Sequence, residues 1–169
     1  MHAKIFMLKA GCIIALLLAS VVDGSCQDSK KQKDSIQAAQ IRIMLEEQRY
    51  FFVAQSTTPS RGGLRQLTGG YNLRVSKDSL VSDLPYFGRA YTASYGSTDG
   101  GIKFTSVDFG YKAEPRKKGG WNITLNPKEI NTCREMNLLV YEDGTASLNV
   151  SSNDKQPISF KGIITATIK

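Results

Sequence analysis

The side chains in this chain best suited to chemistry crowd into Leu84-Pro85-Tyr86-Phe87-Gly88-Arg89-Ala90-Tyr91. Aromatic rings make the walls of small-molecule pockets, and a guanidinium pairs with a carboxylate or phosphate head. Tyr86, Phe87, Arg89 and Tyr91 are therefore the candidate residues for binding a small amphiphilic ligand. The competing role is structural. In it the three aromatics plug the core, and Arg89 hydrogen-bonds buried carbonyls or a carboxylate such as Asp83. Pro85 fixes φ and Gly88 admits backbone angles closed to other residues, so the stretch reads as a turn tucked back onto a core.

Other chemistry is poorly supplied. The single histidine, His2, lies at the extreme N-terminus, so Ser-His-Asp and Cys-His catalysis and histidine-ligated zinc are not expected. No GxxxxGK[ST] or GxGxxG motif cradles phosphates. The pairs Gly62-Gly63, Gly69-Gly70, Gly100-Gly101 and Gly119-Gly120 read as turns or bulges. Carboxylates remain at Asp83, Asp99, Asp108, Glu114, Glu135, Glu142 and Asp143, but no spacing among them marks an acid–base pair. The expectation is a protein that is not an enzyme and uses no cofactor or metal. The net charge of +7 is scattered, and no strand interleaves basic and aromatic residues, so nucleic acid is not an expected partner.

The N-terminus reads as an export signal. Lys4 and Lys9 precede the uncharged run Ala10–Val22, which is shorter than the roughly 20 residues of a spanning helix, and small Gly24 and Ser25 follow. Residues 1–25 are read as a signal peptide, 26–34 as a polar tether and 35–169 as one domain. Cys26 after Ser25 fits a bacterial lipoprotein maturation site, except that Asp23 stands where an aliphatic residue is usual. Two outcomes follow from this pattern: Cys26 is lipidated and anchors the protein to a membrane, or ordinary cleavage near Gly24 leaves a thiol. The expected location is outside the cytoplasm, in the periplasm or at the outer membrane of a Gram-negative bacterium. A disulfide from Cys26 to Cys133 is disfavoured by the flexible tail, and Cys133 reads as a small buried thiol.

The elements that must position these residues are mostly strands. An amphipathic helix is expected over Ser35–Tyr50, with Ile36, Ala39, Ile43 and Met44 on its apolar face and Leu45 on its flank. Period-two alternation then takes over. It marks Arg49–Thr57, Leu67–Val75, Leu80–Leu84 and Ile102–Phe104, continuing through Val107, Phe109 and Tyr111. Trp121, Ile123 and Leu125 follow the basic tip Pro115–Gly120. Asp143-Gly144 between Met136–Tyr141 and Ala146–Val150 is a strong hairpin signal, and Ile158–Ile168 closes the chain. About eight short strands joined by Gly and Asp turns predict a mainly β fold, an antiparallel barrel or strongly curved sheet with one N-terminal helix.

Three blocks carry a resemblance: Tyr71-Asn72-Leu73-x-Val75; Asp83-Leu84-Pro85-Tyr86-Phe87-Gly88-Arg89-Ala90-Tyr91 with Gly100-Gly101-Ile102-x-Phe104; and Ser147-Leu148-Asn149-Val150 with Gln156-Pro157-Ile158-Ser159-Phe160-x-Gly162. On these the chain resembles an uncharacterised family of small secreted bacterial envelope proteins, grouped as a domain of unknown function. The resemblance spans about residues 45–165 and implies an export leader and a lipocalin-like barrel. It brings no activity and no assigned site. Two functions fit: a binding module for a small amphiphilic ligand, or a structural and protein-interaction component of the envelope that makes contact through its helix and basic tip.

Overall fold

The computed structural model describes residues 25–89 and 100–168, so the proposed signal peptide up to Gly24 and Tyr91 lie outside the described residues. One helix, α1 (Ser25–Glu46), is followed by ten strands: β1 (Tyr50–Pro59), β2 (Arg65–Gln66), β3 (Asn72–Val75), β4 (Leu80–Leu84), β5 (Ile102–Ser106), β6 (Phe109–Pro115), β7 (Trp121–Pro127), β8 (Cys133–Val140), β9 (Thr145–Ser152) and β10 (Ile158–Thr165). Among the described residues, those up to Ile36 belong to one unit and those from Gln37 onward to a second. No helix among the described residues is long and apolar enough to cross a membrane.

The second unit is a nearly closed antiparallel barrel. Its strand order is β5-β4-β3-β1-β10-β9-β8-β7-β6, with β2 added beside β1. The period-two pattern explains this register. Phe52, Leu73, Leu80, Leu138, Leu148 and Phe160 are fully buried, while the residues between them face outward. The last turns of α1 add Ile41 and Leu45 to the same core. The interior is thus filled by side chains.

Three local expectations change. First, Ile36 and Ile43 are each 53% exposed, and the buried helix positions are Ile41 and Leu45. Ile41 and Leu45, an i, i+4 pair, face the barrel with the expected Met44 packed beside them, so the buried face is rotated away from Ile36 and Ile43. Second, the helix begins at Ser25, since residues 25–34 are polar but include no proline or glycine to stop it. Third, alternation does not run through Val107. Val107 is 67% exposed at a two-residue corner, where Ser106 Oγ donates to Asp108 O at 3.0 Å and separates β5 from β6.

The turns follow from their residues. After α1, Arg49 N–H donates to Met44 O (3.0 Å) and Gln48 N–H to Leu45 O (3.2 Å), which places Gln48 in the left-handed region at φ 52°. In the β8–β9 hairpin Gly144 takes φ 81°, and Asp143 Oδ1 accepts from Thr145 N (2.9 Å) and Thr145 Oγ1 (2.7 Å). Those two bonds hold the Asp143 carboxyl below its usual range.

Candidate functional site

β4 ends at Leu84, and the aromatic turn begins with buried Pro85. The Tyr86 hydroxyl donates to Arg89 O at 2.8 Å and lies 3.1 Å from Gln156 O, so its one proton is shared between two carbonyls. Gln156 N–H donates to Arg89 O at 3.2 Å. Lys155 Nζ donates to Gly100 O (3.2 Å) and Gly101 O (3.1 Å) and sits 5.2 Å from the centre of the Tyr86 ring. Two consecutive residues of the β9–β10 loop therefore hold the chain at Arg89 and again at Gly100-Gly101. A methyl at Gly88 would lie 2.6 Å from Tyr86 Cζ, so a larger residue there must displace the Tyr86 ring from its place over the turn.

The turn divides its roles. Tyr86 is half-buried and ties the loop down. Phe87 is 39% exposed, and the Arg65 guanidinium lies 5.2 Å from its ring centre. Arg89 is exposed and contributes its backbone carbonyl to the turn, while Asp83 pairs with Lys103 at 3.5 Å. The expected Arg89–Asp83 pair is thus replaced: side chains alternate along β4 and β5, and Asp83 and Lys103 are direct cross-strand partners.

Beside the turn lies a cleft of about 190 Å³ lined by Tyr71, Pro85, Tyr86, Phe87, Gly100, Gly101 and Lys103. It offers aromatic and proline walls and an ammonium at one place, with a volume that suits a single ring-sized group rather than a drug-sized molecule. Of the residues singled out in the sequence, Tyr86 and Phe87 line it. Tyr71, Gly100 and Lys103 line it without having been candidates, and Arg65 and Lys155 stack on the Phe87 and Tyr86 rings. A signal was present for Tyr71 and Gly100, which stand in two of the sequence blocks, and none for Lys103, Arg65 or Lys155.

Other chemistry-bearing groups are placed differently. A larger cleft of about 550 Å³ lies between the α1–β1 and β3–β4 turns, lined by Glu47, Gln48, Arg49, Ser76, Lys77 and Asp78. Its lining side chains are all polar or charged. Cys133 is buried and unpaired, and burial first, then the nearby Asp154 carboxylate, push its thiol up to about 12. Tyr50 is buried beside Tyr111, which donates to Leu45 O at 2.9 Å; no hydrogen bond of good geometry reaches Tyr50 Oη. Desolvation raises both phenols, and for Tyr50 the Tyr111 neighbour raises it further. Among the described residues no three His, Cys, Asp or Glu side chains cluster as metal ligands.

The fold and site define a small antiparallel barrel protein with a packed interior and an aromatic-walled cleft beside the turn after β4. The chain belongs to the family described as Domain of unknown function (DUF4251), whose model matches residues 32–164. It is similar in fold to the crystal structure of a DUF4251 family protein from Bacteroides eggerthii DSM 20697, with a TM-score of 0.60 at 15% identity. That likeness covers 79% of this chain and 89% of the other. No curated protein matches it.

Proposed function

We propose that this protein is a non-catalytic binding module of the bacterial envelope that takes a small amphiphilic ligand in the cleft beside the aromatic turn. The observation that carries this reading is the meeting of Tyr71, Tyr86, Phe87 and Lys103 around one cleft of about 190 Å³. A ring stacks on the aromatics and a polar group meets the ammonium. The packed interior supports placing the ligand here rather than inside the barrel. Residues 1–25 as a leader and Cys26 as a lipid-bearing anchor complete the proposal, supported by the sequence pattern alone.

Octyl glucoside, held below its micellar concentration, is a suitable probe. Titrating it into ¹⁵N-labelled protein is expected to shift the amides of Phe87, Gly101 and Lys103 first, and Phe87→Ala to abolish those shifts. Shifts scattered over the barrel, or none at the turn, reject the site. A mature mass beginning at Cys26 and carrying acyl chains supports the anchor; an unmodified mature mass rejects it.

A further inference from the structure

We propose that the free edge of β6 pairs with the same edge of a second copy, joining two barrels across a two-fold axis at Ala113. Among the described residues β6 ends the strand order and pairs with β7 alone. The phase of that pairing follows from two bonds flanking it: Arg116 N–H donates to Gly120 O at 3.0 Å, and Lys128 N–H to Asp108 O at 3.0 Å. Partners in this hairpin are Ala113↔Ile123 and Lys112↔Thr124, so the even-numbered residues 108 to 116 turn their backbone groups to β7. The odd-numbered residues Phe109, Tyr111, Ala113 and Pro115 therefore direct theirs to the open side. Among the described residues no backbone hydrogen bond satisfies that side, and Lys112 through Pro115 are all exposed.

Charge selects the occupant. Lys112 and Glu114 stand on one face of the strand, 2.8 Å apart at Nζ and Oε1, with uncharged Ala113 between them. Lysine and proline commonly guard an open edge against pairing. Here the sign alternates, and an antiparallel copy centred on Ala113 sets Lys112 opposite Glu114 of the second copy, and Glu114 opposite its Lys112. The same register brings the two Ala113 residues face to face as a doubly hydrogen-bonded pair, and Tyr111 N–H to Pro115 O in both directions. Pro115 has no N–H, so the ladder holds four backbone bonds, and small Ala113 leaves the axis unobstructed. A two-fold contact of one patch with itself closes at two copies, and its small extent makes the dimer weak, with half-association expected at about 10 µM to 1 mM.

Sedimentation velocity from 5 µM to 1 mM tests this. The wild-type protein is expected to shift from monomer to dimer and stop there. Ala113→Pro is expected to leave the melting temperature near wild type, because that N–H has no partner among the described residues, and to abolish the dimer. Lys112→Glu sets like charges opposite each other twice and is expected to weaken association about ten-fold or more. The double variant Lys112→Glu with Glu114→Lys restores opposite charges and is expected to restore association. A protein monomeric at every concentration overturns the proposal. So does a dimer that survives Ala113→Pro, or one that the double variant does not rescue.

Discussion

Gly162→Ala is the sharpest test of how this barrel is built. Gly162 sits in the middle of β10, opposite Ala54 of β1, next to the irregularity between Ala54 and Ser56. A methyl there meets the backbone of β1: it lies 2.8 Å from Val53 C and 3.1 Å from Ala54 Cα, with Val53 O closer still. Ordinary contact begins at 3.4 Å, so the two strands must separate by at least 0.6 Å, and no side chain can rotate away to make room. The strain falls on a pairing of eight residue couples at the centre of the strand order. Overpacking of a rigid core costs about 1–3 kcal/mol and more when backbone must move, so a loss of about 3 kcal/mol is expected. For a domain of this size that lowers the melting temperature by about 10 °C. Gly63→Ala is the control, since nothing lies within 4 Å of its added methyl, and it is expected to melt within about 2 °C of wild type. Differential scanning calorimetry on the three proteins decides it. A Gly162→Ala protein that melts with the control refutes the close approach of β1 and β10.

Other outcomes follow from single sites. Gln48→Gly relieves a side chain held at φ 52° at the end of α1 and is expected to stabilise the protein by about 0.5–1 kcal/mol in urea titration; destabilisation contradicts the helix-stop assignment. Tyr86→Phe removes the donor shared by Arg89 O and Gln156 O and is expected to cost about 1 kcal/mol, with amide changes at both Arg89 and Gln156; changes at neither refute the tie between the two loops. The raised values of Cys133, Tyr50 and Tyr111 make a pH prediction. Each is higher in the folded protein than in the unfolded chain, so its contribution is complete below pH about 9 and is lost as pH rises toward the folded values. The urea midpoint is expected to fall steadily above pH 9, and Cys133 is expected to react with iodoacetamide at pH 8 only as fast as the protein unfolds; rapid labelling of folded protein contradicts its burial.

The sequence exposes the fold wherever one physical signal dominates. Alternation in Leu80–Leu84 and Met136–Val150, with Gly144 supplying the positive φ between the latter runs, yields β4 at its observed limits and the turn-side ends of β8 and β9, while the far ends of those two strands run two to three residues further. Signals fail where tertiary contacts decide. Ile36, Ala39 and Ile43 make as good an apolar stripe on paper as Ile41 and Leu45, and only packing against the barrel separates them. Val107 fits the period of its neighbours, yet the corner at Asp108 exposes it. At the site, the turn itself is legible because Pro, Gly and three aromatics rarely share eight residues. Its clamps are not. Lys155 lies 55 residues from Gly100, and its contact there is a backbone one that no residue-type pattern encodes. Tyr71 enters the cleft from before β3, after the Gly69-Gly70 pair, and was legible as part of a strand face and of a sequence block, not as a cleft residue.

The measurement that bears most directly on the binding proposal is a native mass spectrum of the protein purified from its own host, taken beside the Phe87→Ala variant prepared the same way. The proposal predicts a small-molecule mass on the wild-type protein that leaves on denaturation and is missing from the variant, while both retain the same mature chain mass apart from the substitution. A wild-type protein that carries nothing, or a variant that keeps the same adduct, contradicts a ligand site at the aromatic turn.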